Sequence, residues 1–98
     1  MAYHSAEFDA ALATAAGDDP SLQGELRAAF AGSVVRQLDL LHRARCDANW
    51  EVAADKLHAI AASFHAVELM ILADEARLAA PGEPTVLRRI DAFAEALA

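Results

Sequence analysis

The chain has 98 residues, 56% of them hydrophobic, with 15 acidic against 8 basic side chains and a formal net charge of −7. That length supports one core and excludes two, and the acidic balance argues against nucleic acid or an anionic membrane surface as a partner. With 4 Gly and 3 Pro, little breaks the chain, and much of the apolar content is alanine, so residues 1–98 are expected to form a single all-α domain.

Tyr3 to Ala16 holds a short amphipathic segment in which Ser5 can cap and Phe8, Leu12 and Ala15 or Ala16 share a face. Gly17 is placed to end it. Asp18-Asp19-Pro20 is the clearest helix start, with Asp19 as the N-cap and Pro20 in the first helical position. Leu22, Leu26, Phe30, Val34 and Leu38 recur at every fourth residue and Leu41 follows, which predicts a helix from Pro20 to about Arg45. Gly32 inside it either permits close helix packing or is merely tolerated, at up to ~1 kcal/mol relative to alanine.

Cys46 to Asn49 is a connection short enough to make its flanking helices antiparallel neighbours, with Asp47 or Asn49 as the next N-cap. The helix starting near Ala48 has an apolar stripe of Trp50, Ala53, Leu57, Ile60 or Ala61, and Phe64. Its far side carries Glu51, Asp55, His58, Ala62 and His65, at steps of three and four. Unbroken to Ala80, this helix would be roughly 50 Å long, too long for the others to cover, so a turn is expected near Phe64–Val67. A further helix then runs to about Ala79 with Leu69, Leu72, Ala73 and Ala76 inward. The loop Pro81-Gly82-Glu83-Pro84 follows, and then a helix from about Thr85 to Leu97 burying Val86 or Leu87, Ile90, Phe93 and Leu97. The expected architecture is an up-down-up-down four-helix bundle with a short extra N-terminal helix.

Cys46 is the one cysteine, so no internal disulfide forms, which fits a reducing compartment. The longest apolar run, Leu69 to Ala73, falls far short of the ~20 residues of a membrane helix. The start, with His4, Glu7 and Asp9, lacks the basic-then-apolar order of a signal peptide, so a cytoplasmic location is expected.

His58 is the candidate nucleophile, an imidazole on the solvent side of its helix. Asp55 lies one turn before it and Glu51 one turn before that. Between Cys46 and Ala76 the only basic residue besides the histidines is Lys56, which points about 160° away from His58 around the helix. Asp55, His58 and His65, at i, i+3 and i+10, do not converge on a straight helix, so no metal site is expected. His4 and His42 join no constellation. Neither a nucleophile–base pair nor a phosphate loop marks an enzyme for small molecules.

The order Asp18-Asp19-Pro20, Leu22, Glu25-Leu26, Phe30 and Ser33, then Asp47 and Trp50, then His58 eight residues after the Trp, resembles the histidine-containing phosphotransfer (HPt) family from about Phe8 to Leu97. That family carries an A-H-x-L-K-G pattern and a Gly about ten residues after the His, where the helix breaks. In one register His58 takes the phosphoacceptor place, Ile60 the buried Leu place, Ala61 the Lys place and Ala62 the Gly place, with Glu68 at the downstream Gly place. In a second register, suggested by Ser63-Phe64-His65-Ala66 with Leu69, Leu72, Ala73 and Glu75, the phosphoacceptor place falls on Asp55, the Lys place on His58 and the downstream Gly place on His65. The two differ by three residues, nearly one turn, and keep the same face outward.

The resemblance implies a phosphorelay intermediate rather than a true catalyst. His58 would take phosphate from a receiver-domain aspartate and pass it on, with Glu51, Asp55, Ala61, Ala62 and His65 as the face that docks a response-regulator receiver or a hybrid histidine kinase. The chain itself would need no cofactor, since the receiver brings Mg²⁺. A monomer is expected. The alternative is an HPt-like adaptor that binds a receiver or kinase without phosphotransfer, and a third reading is a structural module that dimerises through alanine-rich faces.

Overall fold

Three of the helices start where a side chain satisfies their free amides. In a computed structural model that describes residues 3–97, the chain forms five α-helices and, among those residues, no strand. α1 (Ala6–Ala16) is capped by Ser5, whose Oγ accepts from the Phe8 amide at 3.1 Å. α2 (Pro20–Arg43) is capped by Asp19, which accepts from the Ser21 and Leu22 amides at 3.0 and 3.3 Å. α5 (Pro84–Ala96) is capped by Glu83, which accepts from Thr85 and Val86 at 3.1 and 2.8 Å. The bonds from the Val86 and Thr85 amides hold the Glu83 carboxyl below the usual carboxylate range. Glu83 therefore belongs to the helix start, not to the loop, and Glu83-Pro84 repeats the acid-proline signal of Asp19-Pro20.

α3 (Asp47–Ser63) begins without a side-chain cap, so the capping role expected of Asp47 or Asn49 is not taken up. Asp47 instead occupies the first turn, where its charge complements the positive end of the helix. α2 stops two residues earlier than expected, because Ala44 turns extended and is buried in the core.

Phe64, His65 and Ala66 separate α3 from α4 (Val67–Leu78), inside the interval where a turn was expected. His65 adopts a left-handed conformation at φ 53. The Ala66 amide donates to the Ala61 carbonyl at 2.9 Å and the His65 amide to the Ala62 carbonyl at 3.2 Å. This is a Schellman ending, whose left-handed position normally belongs to glycine.

One buried cluster runs through all five helices. α3 packs on α2 and on α4, α5 packs on α4 and on α2, and α1 lies on α2. Trp50, at the start of α3, donates Nε1–H to the Ala76 carbonyl near the end of α4 at 2.6 Å. At the other end Phe8, Phe30 and Phe64 stack in sequence, with centroids 5.0 and 5.2 Å apart. Ala61, not Ile60, is the fully buried member of the α3 stripe. Leu22 stays exposed, because the α2 stripe reaches the core only from Leu26 and Phe30 onward. Gly32 approaches no other helix: a β-carbon there would meet only Arg36 Nη1 of its own helix, at 3.3 Å. No helix among the described residues is long and apolar enough to cross a membrane.

Candidate functional site: a charged seam between α3 and α4

The turn at His65 folds α4 back along α3, so that residues three apart on one helix meet residues three apart on the other. Asp55 and His58 on α3 thereby face Arg77 and Asp74 on α4. Arg77 Nε forms an ion pair with Asp55 Oδ1 at 2.7 Å, and Arg77 Nη1 lies 3.7 Å from Asp74 Oδ1. His58 Nε2 lies 3.7 Å from that same Asp74 oxygen. The result is a row, Asp55–Arg77–Asp74–His58, that stitches the two helices from the outside.

His58 stands partly open to water, its side chain 33% exposed. Its distance to Asp74 is an electrostatic contact rather than a hydrogen bond. Glu51 is exposed one turn before Asp55, and Ala62 is half-buried one turn after His58. With His58 neutral, the seam carries two carboxylates against one guanidinium, and Glu51 adds a further negative charge beside it. Among the described residues, no group of three or more His, Cys, Asp or Glu could hold a metal ion.

Not every expected face residue is on this seam. Ala61 is fully buried and packs inward, which removes it from the docking face. The cause is the phase of α3: Ala61 follows Ala54 and Leu57 at steps of three and four on the inward stripe. His65 is exposed but lies at the helix turn, where it lines a shallow cleft with Ser63 and with Glu7, Ala11 and Thr14 of α1. Lys56 points the other way, toward α2.

Asp74 and Arg77 are the members that the sequence reading missed. Arg77 lies one residue past the stretch from Cys46 to Ala76, and on a different helix from His58. The signal that finds them is the turn: once the chain reverses near His65, residues close to 74 and 77 must fall opposite 58 and 55.

Compared with known protein families, characterised proteins and solved structures, the chain matches none.

Proposed function

We propose that this protein is an HPt-like docking module for a response-regulator receiver domain or a histidine kinase, in which Asp55 occupies the phosphoacceptor place and no phosphate is carried. The observation that carries this reading is the left-handed residue at the α3 break. His65, at φ 53, is ten residues after Asp55 and seven after His58. A position that demands glycine-like backbone is where the family's downstream Gly belongs, so the break favours the register that starts from Asp55.

Burial supports the same register. The A-H-x-L-K-G pattern then reads Ala54-Asp55-Lys56-Leu57-His58-Ala59, with Ala54 and Leu57 both fully buried and His58 facing solvent at the Lys place. Started from His58, the pattern would put its Lys place on Ala61, which is fully buried. A lysine cannot reach water from there without disrupting the core. The closed ring of packing among α2, α3, α4 and α5 fits an up-down-up-down bundle with α1 as the extra helix.

A carboxylate at the acceptor place, paired with Arg77, does not form the phosphoramidate on which a histidine relay depends. The surface that remains is polar and outward, suited to recognition. Titration with a receiver domain tests this. Binding that survives His58→Ala, with no acid-labile label transferred from the phosphorylated receiver, is the expected result. The variant Asp55→His with His58→Lys and Ala59→Gly restores the pattern and is expected to gain acid-labile label. Failure of the receiver to bind would sink the proposal.

One observation favours phosphotransfer through His58 as the second reading. Arg77 brings to the seam beside His58 the positive charge that this face of α3 lacks, and the His58 ring is accessible from solvent. Acid-labile label on the unaltered chain that disappears in His58→Ala, and persists in His65→Ala, would establish it in place of the first.

A further inference from the structure

α3 presents two flanks of opposite character. The flank toward α4 is the acidic seam described above. The flank toward α2 is a groove lined by Gln37, Leu40 and Arg43 from α2 and by Val52 and Lys56 from α3. No carboxylate lines it, on a chain whose acidic residues outnumber its basic ones 15 to 8. Two apolar side chains in its walls are open to solvent: Leu40 is 43% exposed and Val52 52%. A cation stands on each side, one per helix. Among the described residues Lys56 forms no ion pair. Arg43 pairs with Asp39 at 3.0 Å, but that pair is open to water and exchanges readily for a competing carboxylate. Gln37 Oε1 is buried in the protein and has no hydrogen-bond donor.

We infer that the α2–α3 groove is a second interaction surface, separate from the seam, that takes an amphipathic helix of a partner protein bearing an apolar ridge flanked by carboxylates. Two packed helices leave between them a furrow whose pitch suits a third helix, and a ridge of residues four apart would lie between Leu40 and Val52. Carboxylates on its two sides would meet Arg43 and Lys56. Charge complementarity selects the occupant: a basic or purely apolar helix would leave the two cations unmatched.

The test uses the full chain and a synthetic helix-forming peptide of roughly 15 residues, with Leu at every third or fourth position and Glu on both flanks of that ridge. A counterpart carries Lys in place of every Glu. Amide shifts in a ¹⁵N-labelled chain are expected at Gln37, Leu40, Val52 and Lys56 with the acidic peptide and not with the basic one. Lys56→Glu, an exposed change that leaves the helix content intact by circular dichroism, is expected to weaken binding at least about tenfold, and Val52→Asp to do the same. The inference is overturned by no binding of the acidic peptide, by equal binding of both peptides, or by shifts confined to Asp55, Asp74 and Arg77. It is also overturned by the same groove shifts arising without peptide as the protein concentration is raised, which would mean that a second copy fills the groove. Loss of receiver binding leaves these outcomes untouched, because that experiment reads the opposite flank.

Discussion

Arg77 Nε on α4 pairs with Asp55 Oδ1 on α3 at 2.7 Å, across the outer seam of the helix pair. Both side chains are about half exposed, 49% and 55%, so water screens their attraction. The same guanidinium reaches toward Asp74, which neighbours His58. One cation therefore offsets two carboxylates at the place where the proposed receiver domain would dock. Arg77→Ala is expected to lower folding stability by less than about 1 kcal/mol, because an exposed pair is worth little. Its larger effect is expected on receiver binding, which should become more salt-dependent as two uncompensated carboxylates face the partner. Urea unfolding of the variant, paired with titrations at low and high salt, measures both. A stability loss well above 1 kcal/mol would mean that the row holds the bundle together rather than decorating it.

His65 is a β-carbon-bearing residue where the backbone asks for glycine. A left-handed conformation costs such a residue about 1–2 kcal/mol. Glycine there removes that cost and loses about 0.5–1 kcal/mol to its freer unfolded state. His65→Gly is therefore expected to be at least as stable as the parent. His65→Val, whose branched side chain tolerates the left-handed region worst, should be less stable by about 1–2 kcal/mol. Denaturant midpoints for the pair decide it. If His65→Gly proves clearly destabilised, the turn does not depend on φ in the way argued, and the register drawn from it loses its support.

Much of the fold is legible before any coordinates. The Asp19-Pro20 start, the Leu26–Phe30–Val34–Leu38–Leu41 stripe and the Pro81-Gly82 turn are local signals, carried by caps, periodicity and proline chemistry that act within one or two turns. The α3–α4 turn was reached only by length, since no Gly or Pro marks it. What places it is a Schellman bond pattern closed by His65, a residue that does not advertise left-handed geometry. The seam is less legible for the same reason. Asp55 and His58 share a helix and were found by spacing, whereas Asp74 and Arg77 join them only through an antiparallel return whose register depends on that turn. Ala61 shows the limit of spacing alone: a shift of one position, from Ile60 to Ala61, moves an alanine from the outward face to the core.

Trp50 fixes the far end of the α3–α4 pair. Its ring is buried, and Nε1–H donates to the Ala76 carbonyl at 2.6 Å. That carbonyl also accepts from the Ala79 amide at 3.1 Å, so it keeps a partner when the indole is removed. Trp50→Phe is thus expected to lose about 1 kcal/mol for the hydrogen bond and a further 1–2 kcal/mol for the unfilled volume, about 2–3 kcal/mol in all. Thermal and urea unfolding of the variant check it. A loss near zero would mean that neighbouring apolar groups collapse into the space and that the indole bond contributes nothing net.

Glu83 links stability to pH in a direction that follows from its cap. The amides of Val86 and Thr85 favour the ionised carboxylate and lower its pKa from the ordinary value of 4.5. A carboxyl with a depressed folded-state pKa stabilises the fold wherever the unfolded chain would bind more protons. The contribution is complete above the unfolded value, declines as pH falls below it, and is gone once pH has passed through the folded value. Glu83→Gln keeps one side-chain oxygen, which can accept from one of the two amides that the two carboxylate oxygens now serve, and removes the titration and the favourable charge at the α5 amino end. The parent should therefore be more stable than Glu83→Gln near neutral pH, and the difference should shrink as the solution is acidified from about pH 6 to about pH 3. Unfolding midpoints of both proteins across that range provide the measurement. A difference that stays constant with pH would show that the cap acts through geometry alone, with no contribution from the charge.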